Sequence, residues 1–349
     1  PRSTLFPYTT LFRSPYKLVD GPSIHHLKLP ATYLVGAGAV GQAAMLAMVT
    51  SVAGAEFVTT MDRETFDDKN RNRYVLAFKD HGEADKAEHV ASLLRAAGTR
   101  AHGEALHWMP YVVRESRHPE PALAELEADF RYRLVLSCVD ENLPRHEIQN
   151  VWPCDLFGGS TESLRAMAAY YDLRTDTACL ACHNPVQKFE HRVAELREDL
   201  AGLAEDGQRD RLIDLGFAEG EIPAVIEYLR RPKCGELAEE ALQRYTDRGP
   251  PRFAVGFVSV AAGLLLARHW IRFALEGPAG TTPEGKHYLS VNFVNGRMLW
   301  TEQLRRADCP ICATGRATWR ELWVDRGGST ERPADRKSTR LNSSHPYRS

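Results

Sequence analysis

A chain of 349 residues, 43% hydrophobic and 26% charged, can bury a large core, either as one α/β domain or as two smaller ones. Its formal net charge of −2 argues against a general nucleic-acid binder, which needs a basic face. Seven cysteines without a visible secretory signal favour a reducing, cytoplasmic setting, where paired cysteines bind metal more often than they form disulfides.

Residues 1–14, PRSTLFPYTTLFRS, read as the translation of a sequencing-adapter oligonucleotide, and so does 335–349, which contains DRKSTRLNSSH. Both tails are expected to carry no fold information. They hold Arg2, Arg13, Arg336, Lys337, Arg340 and Arg348 against Asp335, so the stretch 15–334 is more acidic than the whole.

In chain order, ATYLVGAGAVGQAAMLAMVTSVAG reads as a strand, a glycine turn and an Ala-rich helix, and AEFVTTMD as a second strand ending at Asp62. After a polar loop, helical spacing of apolar residues predicts a helix from Glu83 to Ala97. A stretch rich in His and Pro leads to YRLVLSCVD, an unalternating apolar strand ending at Asp140, as in a parallel sheet buried on both faces. Residues 186–245 read as a charged, helical insert with breaks at Gly216, Gly220, Pro223 and Pro232. A helix follows from Phe253 to Leu275; its apolar run stops at Arg268 and His269, short of a membrane span and suited to a buried helix. HYLSVNFVNGRMLWTEQL alternates around Asn295-Gly296, which predicts a hairpin with a two-residue turn.

Gly36, Gly38 and Gly41 form G-x-G-x-x-G between strand and helix. Such glycines let the backbone turn tightly and approach a phosphate, and the helix N-terminus adds partial positive charge. Asp62 can take ribose hydroxyls. Taken alone, this is equally the start of an NAD-dependent dehydrogenase.

The residues that follow Asp62 point elsewhere. DRETFDDKNRNRYVLAFKDHGEADKAE resembles the segment of ThiF/MoeB-type adenylating enzymes in which an acidic strand end leads to an Asn-x-x-Arg pair and then a lysine. Asn70, Arg73 and Lys86 match, although GEADK is one residue longer than the family's Gly-x-x-Lys. Such enzymes must neutralise a triphosphate and the charge on departing pyrophosphate, which Arg and Lys can do. SCVDENLPRHEIQN resembles the family's next acidic strand end. Asp140 would hold Mg²⁺ and Arg145 would brace its loop, while Ser137 and Glu141 stand where the family more often has Asp and Asn.

The resemblance spans about residues 30–312. It implies a Rossmann-like, mostly parallel sheet with helices on both faces, the helical insert, and antiparallel strands with the hairpin toward the C-terminal end. It implies MgATP as cofactor, a homodimer or pseudo-dimer, and adenylation of the C-terminal carboxylate of a ubiquitin-like or sulfur-carrier protein, with a conjugating enzyme as a further partner. The family's Arg-Tyr-x-Arg-Gln-type motif does not precede Tyr33. A silent scaffold, a peptide or tRNA substrate, and an oxidoreductase are the alternatives.

Cys179-Leu-Ala-Cys182 and Cys309-Pro-Ile-Cys312 can each present two thiolates on a tight turn, and together they are expected to give the closed four-sulfur shell of structural Zn²⁺, against a redox C-x-x-C or a coincidence of spacing. Cys138 and Cys154 read as core. Cys234 lies among Arg230, Arg231 and Lys233, ahead of a helix, where a thiolate is favoured. It stands where related enzymes carry an acceptor cysteine, so it is the candidate for thioester transfer, against an ordinary surface thiol.

Overall fold

The computed structural model describes residues 24–66, 72–76, 84–117, 132–230, 237–246, 255–281, 286–309, 311–313 and 315–325. The two adapter-like tails, Asn70 and Cys234 lie outside these. Strand β1 (Thr32–Val35) is buried along its length and runs through the glycine turn into α1 (Ala39–Ser51). Then come β2 (Val58–Met61), α2 (Lys86–Ala96), β3 (Ala101–Glu104) and α3 (Trp108–Arg117). Strand β4 (Leu134–Ser137) leads into α4 (Asn142–Asn150), and β5 (Asp155–Glu162) pairs with β6 (Arg165–Asp172).

The first cysteine pair sits at the short helix α5 (Leu180–His183). Four helices follow: α6 (Lys188–Ala201), α7 (Glu205–Asp214), α8 (Ile222–Arg230) and α9 (Leu237–Thr246). The long α10 (Gly256–Thr281), the hairpin β7 (Tyr288–Asn292) and β8 (Arg297–Thr301), and α11 (Gly315–Asp325) complete the chain.

All eight strands join one sheet in the order β3-β2-β1-β4-β5-β6-β7-β8. The β3-to-β5 portion is parallel, with Val35 in register with both Met61 and Ser137, and β5 to β8 are antiparallel. The α/β architecture expected from sequence is therefore present. The strand order reverses between β1 and β4, the position where open parallel sheets hold ligands beyond their carboxyl ends.

Helix α10 is long and apolar enough to cross a membrane by length and composition, unlike the shorter run read from sequence, and one of its faces packs into the core. Leu266 and Trp270 are fully buried with Phe157 and Tyr170 of the sheet. Its approach to α1 is so close that a Cβ on Gly263 would lie 2.5 Å from both Ala43 Cβ and Val40 O. Alanine gains up to about 1 kcal/mol in helix propensity over glycine, but relieving this overlap costs about 1–3 kcal/mol. Gly263→Ala is expected to lower the denaturant midpoint; an unchanged or raised midpoint would mean the helices are not so close.

The helical insert has its own core, in which Leu196, Leu212, Phe217, Val225 and Leu242 meet. Pro223, read as a break, instead occupies the first turn of α8, where its missing N–H costs nothing. The hairpin loop is four residues long, Phe293–Gly296, with Asn292 paired to Arg297, not the two-residue turn expected; Gly296 takes φ +67° to close it. Strand β4 ends at Ser137, three residues before Asp140, which lies in the bend that follows.

Candidate nucleotide site and candidate metal centre

Three strand exits meet around the glycine turn. Gly36 has φ +96°, and a Cβ there would strike the Cys138 carbonyl carbon and oxygen at 2.8 Å, so glycine lets the turn lie against the β4 exit. At Gly41 a Cβ would be 2.2 Å from Gly36 O. Gly38 differs: a Cβ there would meet nothing within 4 Å, so the turn faces open space at that point. Gly38 is also the N-cap of α1, and neither a capping side chain nor a first-turn acid covers that helix end. Uncapped amides and the helix dipole thus point at the opening, an arrangement suited to an anion.

Asp62, just beyond β2, accepts hydrogen bonds from Ala37 N and Glu64 N, each at 2.9 Å, and so ties the glycine turn to the segment behind it. Lys86, the first residue of α2, is buried and reaches Glu64 Oε2 at 2.5 Å. Burial alone would weaken its hold on the proton, but Asp62 and Glu64 outweigh that and raise its pKa, so it stays charged. Its ammonium also lies 5.2 Å from the centre of the Tyr74 ring.

Arg73 is fixed through its neighbours. Gln42, buried in α1, donates to Ala37 O at 2.9 Å and accepts from Leu76 N at 3.2 Å, so one side chain joins the glycine turn to the Arg73 segment. His89 bonds to Leu76 O at 2.8 Å, and Phe66 stacks edge-on against both Tyr74 and His89. Gln42 went unread in the sequence; a polar residue in an otherwise Ala-rich buried helix, directly after Gly41, was its only signal.

Burial pushes the Asp62 carboxyl up to about 6, with Lys86 pulling it the other way. A group with a raised value binds protons more tightly folded than unfolded. Its contribution to stability is therefore fully present below about pH 4, the unfolded aspartate value, and is lost as pH rises to about 6. Asp62→Asn removes that slope. The wild-type unfolding free energy, relative to the variant, is expected to fall between about pH 4 and pH 6 and to be level above. A difference that is level throughout contradicts the raised value.

Asp140 is exposed, three residues beyond the end of β4. The loop carrying it is held from behind, as expected, by Arg145, which donates to Val139 O at 2.8 Å and to Asn142 Oδ1 at 2.5 Å. Further restraints come from the chain after the first cysteine pair. Arg145 reaches Asn184 Oδ1 at 3.1 Å, His146 bonds to Asn184 O at 2.7 Å, and Asn142 donates to Pro185 O at 3.0 Å. Glu190 of α6 accepts from Asn142 N and Leu143 N, at 2.5 and 3.3 Å, capping α4 across a distance of nearly fifty residues in sequence.

The four sulfurs of Cys179, Cys182, Cys309 and Cys312 lie within 4.8 Å of one another, and all four residues are buried. Cross-pair separations are 3.8 Å for Cys179–Cys309 and 3.5 Å for Cys182–Cys312, too long for disulfides. A tetrahedron with metal–sulfur bonds of about 2.3 Å has sulfurs about 3.8 Å apart. Within each pair the later backbone N–H points at the earlier sulfur, Cys182 N to Cys179 at 3.3 Å and Cys312 N to Cys309 at 3.5 Å, as in a knuckle turned around its sulfurs. The set fits a metal ion with a closed shell. Ala178 N–H···O=C Gln303 at 2.9 Å and Arg316, which donates to the carbonyls of Thr175 and Thr177, bring the two pairs together.

No family model matches the chain, and no curated protein matches it in sequence. Solved structures match it in fold. E. coli MccB with MccA-N7isoASN superposes with a TM-score of 0.51 at 14% identity, covering 82% of this chain and 67% of MccB. E. coli MccB with MccA gives 0.51 at 15% identity, over 82% and 68%. E. coli MccB with succinimide gives 0.50 at 14% identity, over 81% and 66%. The chain therefore spans about two thirds of the MccB chain and shares its α/β fold.

Proposed function

We propose that this chain uses MgATP to adenylate the C-terminal carboxylate of a ubiquitin-like or sulfur-carrier protein. The observation that supports the reading is the register of Val35 with both Met61 and Ser137, which sets the Gly36–Gly41 turn beside the strand exits that lead to Asp62 and Asp140, with Lys86 drawn to Asp62 and Gln42 tying the Arg73 segment to the turn. A carboxylate oxygen attacks the α-phosphorus, the bond from that phosphorus to its bridging oxygen breaks, and the electron pair leaves with pyrophosphate. In this reading the uncapped α1 amides receive phosphate oxygens, Asp62 faces the ribose, and Asn70, Arg73 and Lys86 lower the negative charge along the polyphosphate. Mg²⁺ at Asp140 would supply further neutralisation of the leaving group. The four cysteines would hold Zn²⁺ as a structural staple. The acyl group then passes from AMP to the Cys234 thiolate, if that residue is the acceptor.

A second reading replaces the folded modifier by a peptide, and the fold shared with MccB and its MccA-bound structures favours it. Exchange of labelled pyrophosphate into ATP tests both. Exchange stimulated by a small protein ending in Gly-Gly supports the first, and stimulation by short peptides alone supports the second. Absence of exchange with any carboxylate-ended chain would leave the protein a scaffold.

A further inference from the structure

The helix that follows the second cysteine pair carries a buried charge with no carboxylate to balance it. Arg316, in the first turn of α11, is 1% exposed, although arginine is almost never fully buried unless it is paired. Its Nη1 donates to Thr175 O at 2.7 Å and to Thr177 O at 2.8 Å, while Nε and Nη2 are buried and reach no acceptor among the described residues. Carbonyl oxygens accept hydrogen bonds but do not neutralise a guanidinium. The position is itself unfavourable for a cation, since the helix dipole adds partial positive charge there and no acidic residue stands in the same turn.

The carboxylates on adjoining segments are engaged by other arginines. Asp172 pairs with Arg174 at 2.7 Å, Asp176 with Arg320 at 3.1 Å and Asp308 with Arg306 at 2.7 Å. Arg174 shows how this protein otherwise buries a guanidinium, for Asp155 also meets it, at 2.5 Å. What adjoins Arg316 instead is sulfur. It stands four residues after Cys312, and the Thr177 carbonyl it holds lies two residues before Cys179, so the guanidinium is clamped between the two cysteine segments. Its charge acts on the Cys312 sulfur.

We propose that Arg316 is the counter-charge of the four-cysteine centre. The inference rests on the metal reading of that centre and is independent of adenylation. Four thiolates around one divalent ion remain net negative, and burying that charge is costly without a cation nearby. Arg316 supplies the cation from outside the sulfur shell, besides tying the two pairs together. A hydrogen-bonding strut would serve loaded and empty protein alike, whereas a counter-charge serves the loaded one.

Competition for Zn²⁺ between the full chain and a chromophoric chelator tests it. Arg316→Gln keeps an amide N–H for the threonine carbonyls and removes the charge; Arg316→Lys keeps the charge and loses the forked shape. Zinc affinity is expected to fall about tenfold or more in Arg316→Gln, the scale for groups that support a metal's ligands, and Arg316→Lys should recover most of it. In thermal unfolding, Arg316→Gln should melt lower than wild type when loaded and no lower when empty. Arg320→Gln is the control and should hold its zinc, because Arg320 also bonds to Thr175 O but is partly exposed and paired with Asp176.

Unchanged affinity in Arg316→Gln, equal losses in the Gln and Lys variants, or an equal drop in melting with and without zinc overturns the inference and leaves the metal centre standing. Should the empty protein be unfolded throughout, the affinities decide. If Arg316→Gln does not fold, Arg316→Lys decides alone: affinity near wild type supports the counter-charge, and a loss of about tenfold overturns it. A wild type that takes up no zinc overturns the inference and the metal reading together.

Discussion

Cys309→Ser is expected to release the metal from the four-cysteine centre and to destabilise the chain by several kcal/mol, the scale on which structural zinc contributes to folding. The cost does not stop at the centre. The first cysteine pair is followed directly by Asn184, Pro185 and Glu190, whose hydrogen bonds hold Arg145, His146 and the α4 N-terminus, and these in turn hold the Asp140 loop. Loss of metal should therefore lower nucleotide turnover even at temperatures where the variant is folded. Metal analysis of purified protein, with thermal unfolding of wild type and variant side by side, checks this. Metal-free wild type, or identical melting of both, would remove the staple from the account.

Asp140→Asn is expected to behave in the opposite way. Asp140 is exposed and makes no side-chain hydrogen bond or ion pair among the described residues, so its unfolding free energy should stay within about 0.5 kcal/mol of wild type, as for most surface changes. On the adenylation proposal, removing this carboxylate should nevertheless cut pyrophosphate exchange by about 10²-fold or more, the usual cost of losing one charge-stabilising group. Extra Mg²⁺ should recover part of the rate. Unchanged exchange would mean the metal is held elsewhere.

The parallel half of the fold could be read from the chain because its signals are local. Strand, glycine turn and helix follow one another within residues 31–54, and the β4 run is apolar without interruption. The paired cysteines were equally legible, since a four-sulfur shell is written in residue type alone. Strands β5 and β6 were not. FGGSTE has the composition of a loop, yet its second glycine is there because α1 and α10 press on the sheet: a Cβ on Gly159 would lie 2.9 Å from Val40 and 3.1 Å from Leu266.

Pro223 and the hairpin loop were misjudged for a similar reason. A proline or an Asn-Gly pair restricts local dihedrals, but neighbouring helices and strand register decide whether it starts an element or ends one. Arg316 and Thr175 are 141 residues apart in sequence, and only the meeting of the two cysteine segments joins them. Gln42, Glu64 and Glu190 likewise act by joining segments that the sequence keeps apart.

The oxyanion-rich reading of this site competes with a dehydrogenase reading of the same glycine turn and Asp62, and one titration separates them most directly. The full chain, mixed with MgATP and with NAD⁺ in parallel, is expected to bind MgATP and to lose about tenfold or more of that affinity in Lys86→Ala, whose ammonium stands beside Asp62. Binding of NAD⁺ with no detectable uptake of MgATP would contradict adenylation at this site.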